Sequence, residues 1–127
     1  MAHVATRAEH RARRRSLRAT LRRRTAEARA AHRAVRAVAT GTPQPARTQL
    51  VAAGLDDATA RRFAPAFSRG LVADDTRETR IKLKARVRKT VQVKLYNART
   101  FATRLATYRP KNPVIAARFE VLAGVAA

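Results

Sequence analysis

The sequence has no cysteine and no tryptophan, and among its 127 residues only 8 are acidic and only four Phe and two Tyr supply aromatic rings. Without cysteine there is neither a disulfide nor a thiolate metal site, and the redox character of the compartment leaves no trace. The scarcity of aromatics restricts any core to a small, largely aliphatic one. No apolar run approaches the ~18 residues of a membrane-spanning helix, so no membrane partner is expected. The N-terminus lacks the apolar stretch of a secretory signal. Its acid-poor Arg/Ala character resembles a transit peptide, but the remainder of the chain is just as basic. The missing acids matter most. Set against 29 Lys and Arg they leave a formal charge of +21 and a pI near 12.0. Self-repulsion on that scale opposes compaction and points to a polyanionic partner. A high-GC codon bias would replace Lys by Arg, yet it would not remove Asp and Glu. The dominance of Arg favours nucleic acid, because its planar fork matches phosphate and guanine and stacks on bases.

Charge divides the chain into three parts. Residues 1–40 hold twelve Arg and two Glu, a balance of +10. Residues 41–79 are neutral, with five Arg offset by Asp56, Asp57, Asp74, Asp75 and Glu78. Residues 80–127 carry +11, with Glu120 the single acid. The expected organisation is a basic helical arm over 1–40, a linker over 41–47 and a small α+β DNA-binding domain over 48–127.

The arm reads as one long helix, free of Gly and Pro before Gly41. Leu17, Leu21, Ala28, Ala31, Val35 and Val38 fall near heptad spacing, but Arg24 interrupts that thin stripe. Like-charge pairs such as Arg11 with Arg15 and Arg14 with Arg18 oppose an isolated helix. Phosphate would relieve them, so the arm is expected to order on nucleic acid. Gly41-Thr42-Pro43-Gln44-Pro45 breaks the helix. The neutral middle suggests two short helices, residues 47–53 ending at Gly54 and residues 57–69 capped by Asp56 and closed by Gly70. Pro65 is expected to kink the second.

From Thr79 the period becomes two. Ile81, Leu83, Ala85 and Val87 alternate with Lys82, Lys84, Arg86 and Arg88; Val91, Val93 and Leu95 alternate with Gln92, Lys94 and Tyr96. The pattern predicts two antiparallel strands joined by a three-residue turn near Arg88-Lys89-Thr90. One face is apolar and packed on the C-terminal helices, the other basic. Asn97 then caps a helix bearing Phe101, Leu105 and Tyr108. Asn112 caps another that begins at Pro113, is lined by Ile115, Phe119 and Leu122, and ends at Gly124.

The run Leu50-x-x-x-Gly54-Leu55 followed by Ala60 and Phe63 resembles the helix-turn-helix of bacterial regulators, and with the hairpin as a wing residues 47–96 resemble a winged helix. Residues 91–123, in the order strand, capped helix, turn, helix, resemble a ribbon-helix-helix protein. The first resemblance implies that Thr59, Arg61, Arg62 and Arg69 face DNA. The second implies a homodimer in which Gln92 and Lys94 read bases. The expected function is a DNA-binding regulatory or accessory protein of a bacterial chromosome, plasmid or phage, cytoplasmic and nucleoid-associated. The contacts are expected from Arg11, Arg14, Arg15, Arg18, Arg22, Arg61, Arg62, Lys82, Lys84, Arg86, Arg88, Lys89, Gln92 and Lys94. An RNA-binding protein, as a ribonucleoprotein component, and an adaptor on an acidic protein are the alternatives. No catalytic residue, metal site or cofactor is expected. His3, His10 and His32 lie in the basic arm without an evident acidic partner. Asp74, Asp75 and Glu78 read as a solvated loop.

Overall fold

In the computed structural model, which describes residues 3–126, the elements run α1 (Arg7–Ala39), α2 (Ala46–Ala53), α3 (Asp57–Ser68), β1 (Asp75–Lys82), β2 (Arg88–Leu95), α4 (Ala98–Thr107) and α5 (Pro113–Ala126). The class is α+β, with five helices and one two-stranded antiparallel sheet among the described residues. Helix α1 starts at a capping box: Thr6 accepts from the Glu9 amide, and the Glu9 carboxylate accepts from the Thr6 amide. Its thin apolar stripe stays mostly in solvent, with Leu17 and Leu21 58% and 60% exposed. Only the C-terminal turns are packed. Ala34 is buried, and Ala31 lies against the core where α1 meets α2. The arm and the rest of the chain therefore share a core, and the packing begins well before residue 40.

The break after α1 is tied down. Gln44 exchanges backbone hydrogen bonds with Tyr96 at 2.9 and 3.0 Å, and its amide nitrogen donates to the carbonyl of Ala37. The buried Gln49 side chain donates to both the Gln44 and Tyr96 carbonyls. One side-chain amide thus joins the linker, α2 and the end of β2. Helix α2 begins at Ala46, inside the stretch expected as linker, and ends as its sequence suggested. The Leu55 amide reaches the Leu50 carbonyl and the Gly54 amide that of Val51, each at 3.1 Å, with Gly54 at φ 122°. This is a Schellman closure, whose left-handed position favours glycine.

Asp56 caps α3 through the Thr59 amide and hydroxyl. Helix α3 continues through Pro65 to Ser68 instead of breaking there. The ring removes one amide and frees the carbonyl of Arg61, an exposed residue whose backbone water can reach. Phe67 and Phe119 are fully buried and anchor the core. Phe67 lies 5.4 Å from both Phe101 and Tyr108, and Phe119 lies 5.1 Å from Tyr108 and 6.2 Å from Phe63. Helices α3, α4 and α5 are joined through these rings, each large burial stabilising by about 1.5–3 kcal/mol. Arg104 adds a hydrogen bond from Nε to the Phe67 carbonyl near the end of α3, where a cation suits the helix dipole. Asn97 and Asn112 cap α4 and α5 as expected, but α5 runs past Gly124 to Ala126.

The hairpin departs most from expectation. Asp75 pairs with Leu95, Thr79 with Val91 and Lys82 with Arg88. The turn accordingly falls at Leu83–Val87, centred four residues earlier than the sequence suggested. The register is set from the base, where Leu95 is buried and the Asp74 carboxylate accepts from the amide of Asn97. Asp75 and Glu78, read as loop, belong to β1, which begins four residues before Thr79. Only Thr79, Val91, Val93 and Leu95 are sheltered. Ile81, Leu83 and Val87 are 42%, 46% and 54% exposed, so the apolar face is not packed on the C-terminal helices along its length.

Candidate nucleic-acid interface

Twelve arginines lie in α1, and helix geometry sorts them. At about 100° per residue, Arg7, Arg11, Arg14, Arg15, Arg18, Arg22, Arg29, Arg33 and Arg36 fall within one sector of about 100°. Arg13, Arg23 and Arg24 point elsewhere. The stripe is about 44 Å long at 1.5 Å per residue. Arg11, Arg14, Arg15, Arg18 and Arg22, all expected from sequence, line one shallow recess with Ala19. Arg29, Arg33 and Arg36 extend the same face and were missed, although their spacing alone places them there. Ala30, Ala31, Ala34, Ala37 and Val38 are the sheltered side chains of the last turns and occupy the other side of the helix.

The stripe meets the helical pair at Asp57. This carboxylate is held bidentately by Arg47, with contacts of 2.8–3.0 Å. The Arg47 hydrogen bonds hold Asp57 below the ordinary carboxylate range against its partial burial, with the nearby charges of Arg47, Arg61 and Arg33 adding to the effect. Arg33 of α1, Arg47 of α2 and Arg61 of α3 therefore surround one acid. Asp56, at the cap of α3, is pushed up by partial burial. The Thr59 hydroxyl and amide, together with the Arg118 charge, outweigh that and leave it lowered. Both acids at the start of α3 are neutralised by arginine from other elements. Their presence there does not leave the helix N-terminus net negative. Arg61 and Arg62 are exposed on α3, with the Arg62 guanidinium 5.2 Å from the Phe63 ring centroid.

On the hairpin, the observed register redistributes the expected contacts. Lys82, Arg88, Gln92 and Lys94 share one face with Arg80, which sequence reasoning passed over. Lys89 lies opposite Ile81 on the other face, which Arg77 shares nearer the base of the hairpin. Lys84 and Arg86 leave the strands and form the tip. Lys82 and Arg88 are directly paired like charges, a destabilising arrangement that a bound anion would relieve.

Of the 29 Lys and Arg, only Arg47 and Arg118 form an ion pair with a carboxylate among the described residues, and every one except Arg104 is exposed. His3 has an acidic neighbour after all, with Nε2 at 3.2 Å from Glu9. None of the six aromatic side chains is exposed; Tyr96 is 3% accessible. Among the described residues no group of three His, Asp or Glu could hold a metal ion, and no helix is long and apolar enough to cross a membrane. No protein-family model, curated protein or solved structure matches the chain.

Proposed function

We propose that this protein binds duplex DNA as a regulatory or accessory factor. The α1 stripe would lie along phosphates, and the α2–α3 pair and the hairpin would supply groove contacts. The observation that carries the reading is the arginine stripe, with neither acid of α1 on its face and with Arg33 lining one recess together with Arg47 and the neutralised Asp57. A fixed line of guanidinium groups longer than one duplex turn of about 34–36 Å suits a rigid polyanion. Duplex is favoured over single-stranded RNA by the aromatics. Binders of single strands stack bases on exposed rings, and here all six rings are sheltered.

The order α1, α2, α3, β1, β2 suits a winged helix, with α3 as the recognition helix and the hairpin as the wing. The ribbon-helix-helix alternative is less well supported, because β2 pairs along its whole length with β1 of its own chain. Tyr96 just beyond it pairs on the opposite edge with Gln44. A competition assay of the full chain with duplex DNA, the matching single strand and a structured RNA tests the reading. Duplex should bind tightest. Tighter binding of the RNA would overturn it in favour of a ribonucleoprotein role, and failure of all three would favour an acidic protein partner.

A further inference from the structure

The distal half of the hairpin has a composition that phosphate contact alone does not explain. Ile81, Leu83 and Val87 lie on one face of the ribbon, each roughly half exposed. The Leu83 amide donates to the Val87 carbonyl at 2.7 Å, which sets these two side by side next to the tip. Arg80, Lys82 and Arg88 occupy the opposite face, Lys89 borders the aliphatic one, and Lys84 and Arg86 form the tip. The sequence has no acid between Glu78 and Glu120. At the tip Ala85 and Arg86 hold φ of 61° and 64°. That left-handed backbone is disfavoured for an L-residue, and the chain places neither Gly nor Asn there.

An occupant of this end must be anionic at its edges and accept aliphatic carbon between them. A second copy meets six cations in residues 80–89 with six of its own, and like charges oppose that pairing. The major groove offers mainly hydrogen-bonding base edges, where an aliphatic face finds little beyond thymine methyl groups. The minor groove differs. Proteins that enter it commonly wedge apolar side chains between base steps, while cations follow the potential of the groove and its phosphate rims. Building on the duplex reading above, we infer that the hairpin tip enters the minor groove, where Leu83 and Val87 wedge a base step and Lys84 and Arg86 hold the groove. A two-stranded ribbon is wider than the groove's roughly 6 Å opening. Entry must therefore widen the groove and bend the duplex toward the major groove.

The test uses the full chain and an A·T-rich duplex of about 30 base pairs labelled at both ends for energy transfer. Binding should shorten the end-to-end distance. Leu83→Ser with Val87→Ser should keep the complex but leave the duplex straight. Netropsin, which fills the minor groove, should weaken the wild-type complex about tenfold and have no further effect on Lys84→Gln with Arg86→Gln. The tenfold figure corresponds to netropsin at about nine times its own dissociation constant, competing for one site. A straight duplex in the wild-type complex, full bending by the double-Ser variant, or equal netropsin sensitivity of wild type and the Gln variant would each overturn the inference while leaving duplex binding intact. Failure to bind duplex at all would remove both. Anionic vesicles (phosphatidylserine with phosphatidylcholine) serve as the lipid arm: binding to them that the double-Ser variant abolishes, alongside unbent DNA, would reassign the surface to a membrane.

Discussion

Replacing Arg11, Arg15, Arg18 and Arg22 by Gln tests the stripe without touching the core. All four are exposed on the face of α1 turned away from Ala31 and Ala34. Gln is nearly as good a helix former as Arg, so the helix should persist and the far-ultraviolet circular dichroism should not change. Each phosphate contact contributes about 0.9 to the slope of log affinity against log salt. Four lost contacts should lower that slope by about 3.6. Between 50 and 200 mM salt, the wild-type affinity should then fall about 150-fold more than that of the variant. The control is Arg13, Arg23 and Arg24 to Gln on the same helix. It removes nearly as much charge from other faces and should change the slope by less than about one. Fluorescence anisotropy on one labelled duplex measures both. An equal loss per residue in the two sets would show that α1 acts only as diffuse charge, and the stripe would cease to be an interface.

Three further outcomes are expected. Deletion of residues 1–24 should leave a cooperative thermal transition, whereas deletion through residue 40 removes Ala31 and Ala34 and should lower the midpoint by several degrees, about 4–8 °C per kcal/mol lost; identical melts would mean that the α1–α2 contact adds nothing. Ala85→Asn with Arg86→Gly installs the residues suited to positive φ and should slow amide exchange at Leu83 and Val87 about 5- to 30-fold for 1–2 kcal/mol of relieved strain, while weakening DNA binding; faster exchange would contradict the strained turn. Asp57→Asn should cost about 0–1 kcal/mol at pH 7, since both partners of the Arg47 pair are partly solvated. The Asp57 pKa is lowered in the folded state, so this contribution is complete above the unfolded value of 3.8 and disappears as the pH falls through the folded value. A difference between Asn variant and wild type that persisted undiminished near pH 2 would show that the effect is not ionic.

What could be read from the sequence follows the range of the interactions. Asp56, Asn97 and Asn112 were legible as caps because each satisfies an amide two or three residues away. Gly54 and the Gly41–Pro45 break were legible for the same local reason. The hairpin register was not. The period-two pattern tolerates a turn at either Leu83–Val87 or Arg88–Thr90, neither position has Gly or Asn, and the decision rests on Leu95 and Asp74 at the base. The first half of β1, with its charged and hydroxyl side chains, carries no apolar alternation to betray a strand. Among the candidate contacts, the arginines near the start of α1 were found by local density. The meeting of Arg33, Arg47 and Arg61 at Asp57 depends on how three helices pack, and no local spacing encodes it.

The most direct measurement is the salt dependence of duplex affinity for the intact chain between 50 and 200 mM. If the stripe, α3 and the hairpin together neutralise about 6–10 phosphates, log affinity should fall against log salt with a slope between about −5 and −9. A slope no steeper than about −2 would mean that most of the +21 charge never meets the duplex, and the proposed interface would be wrong.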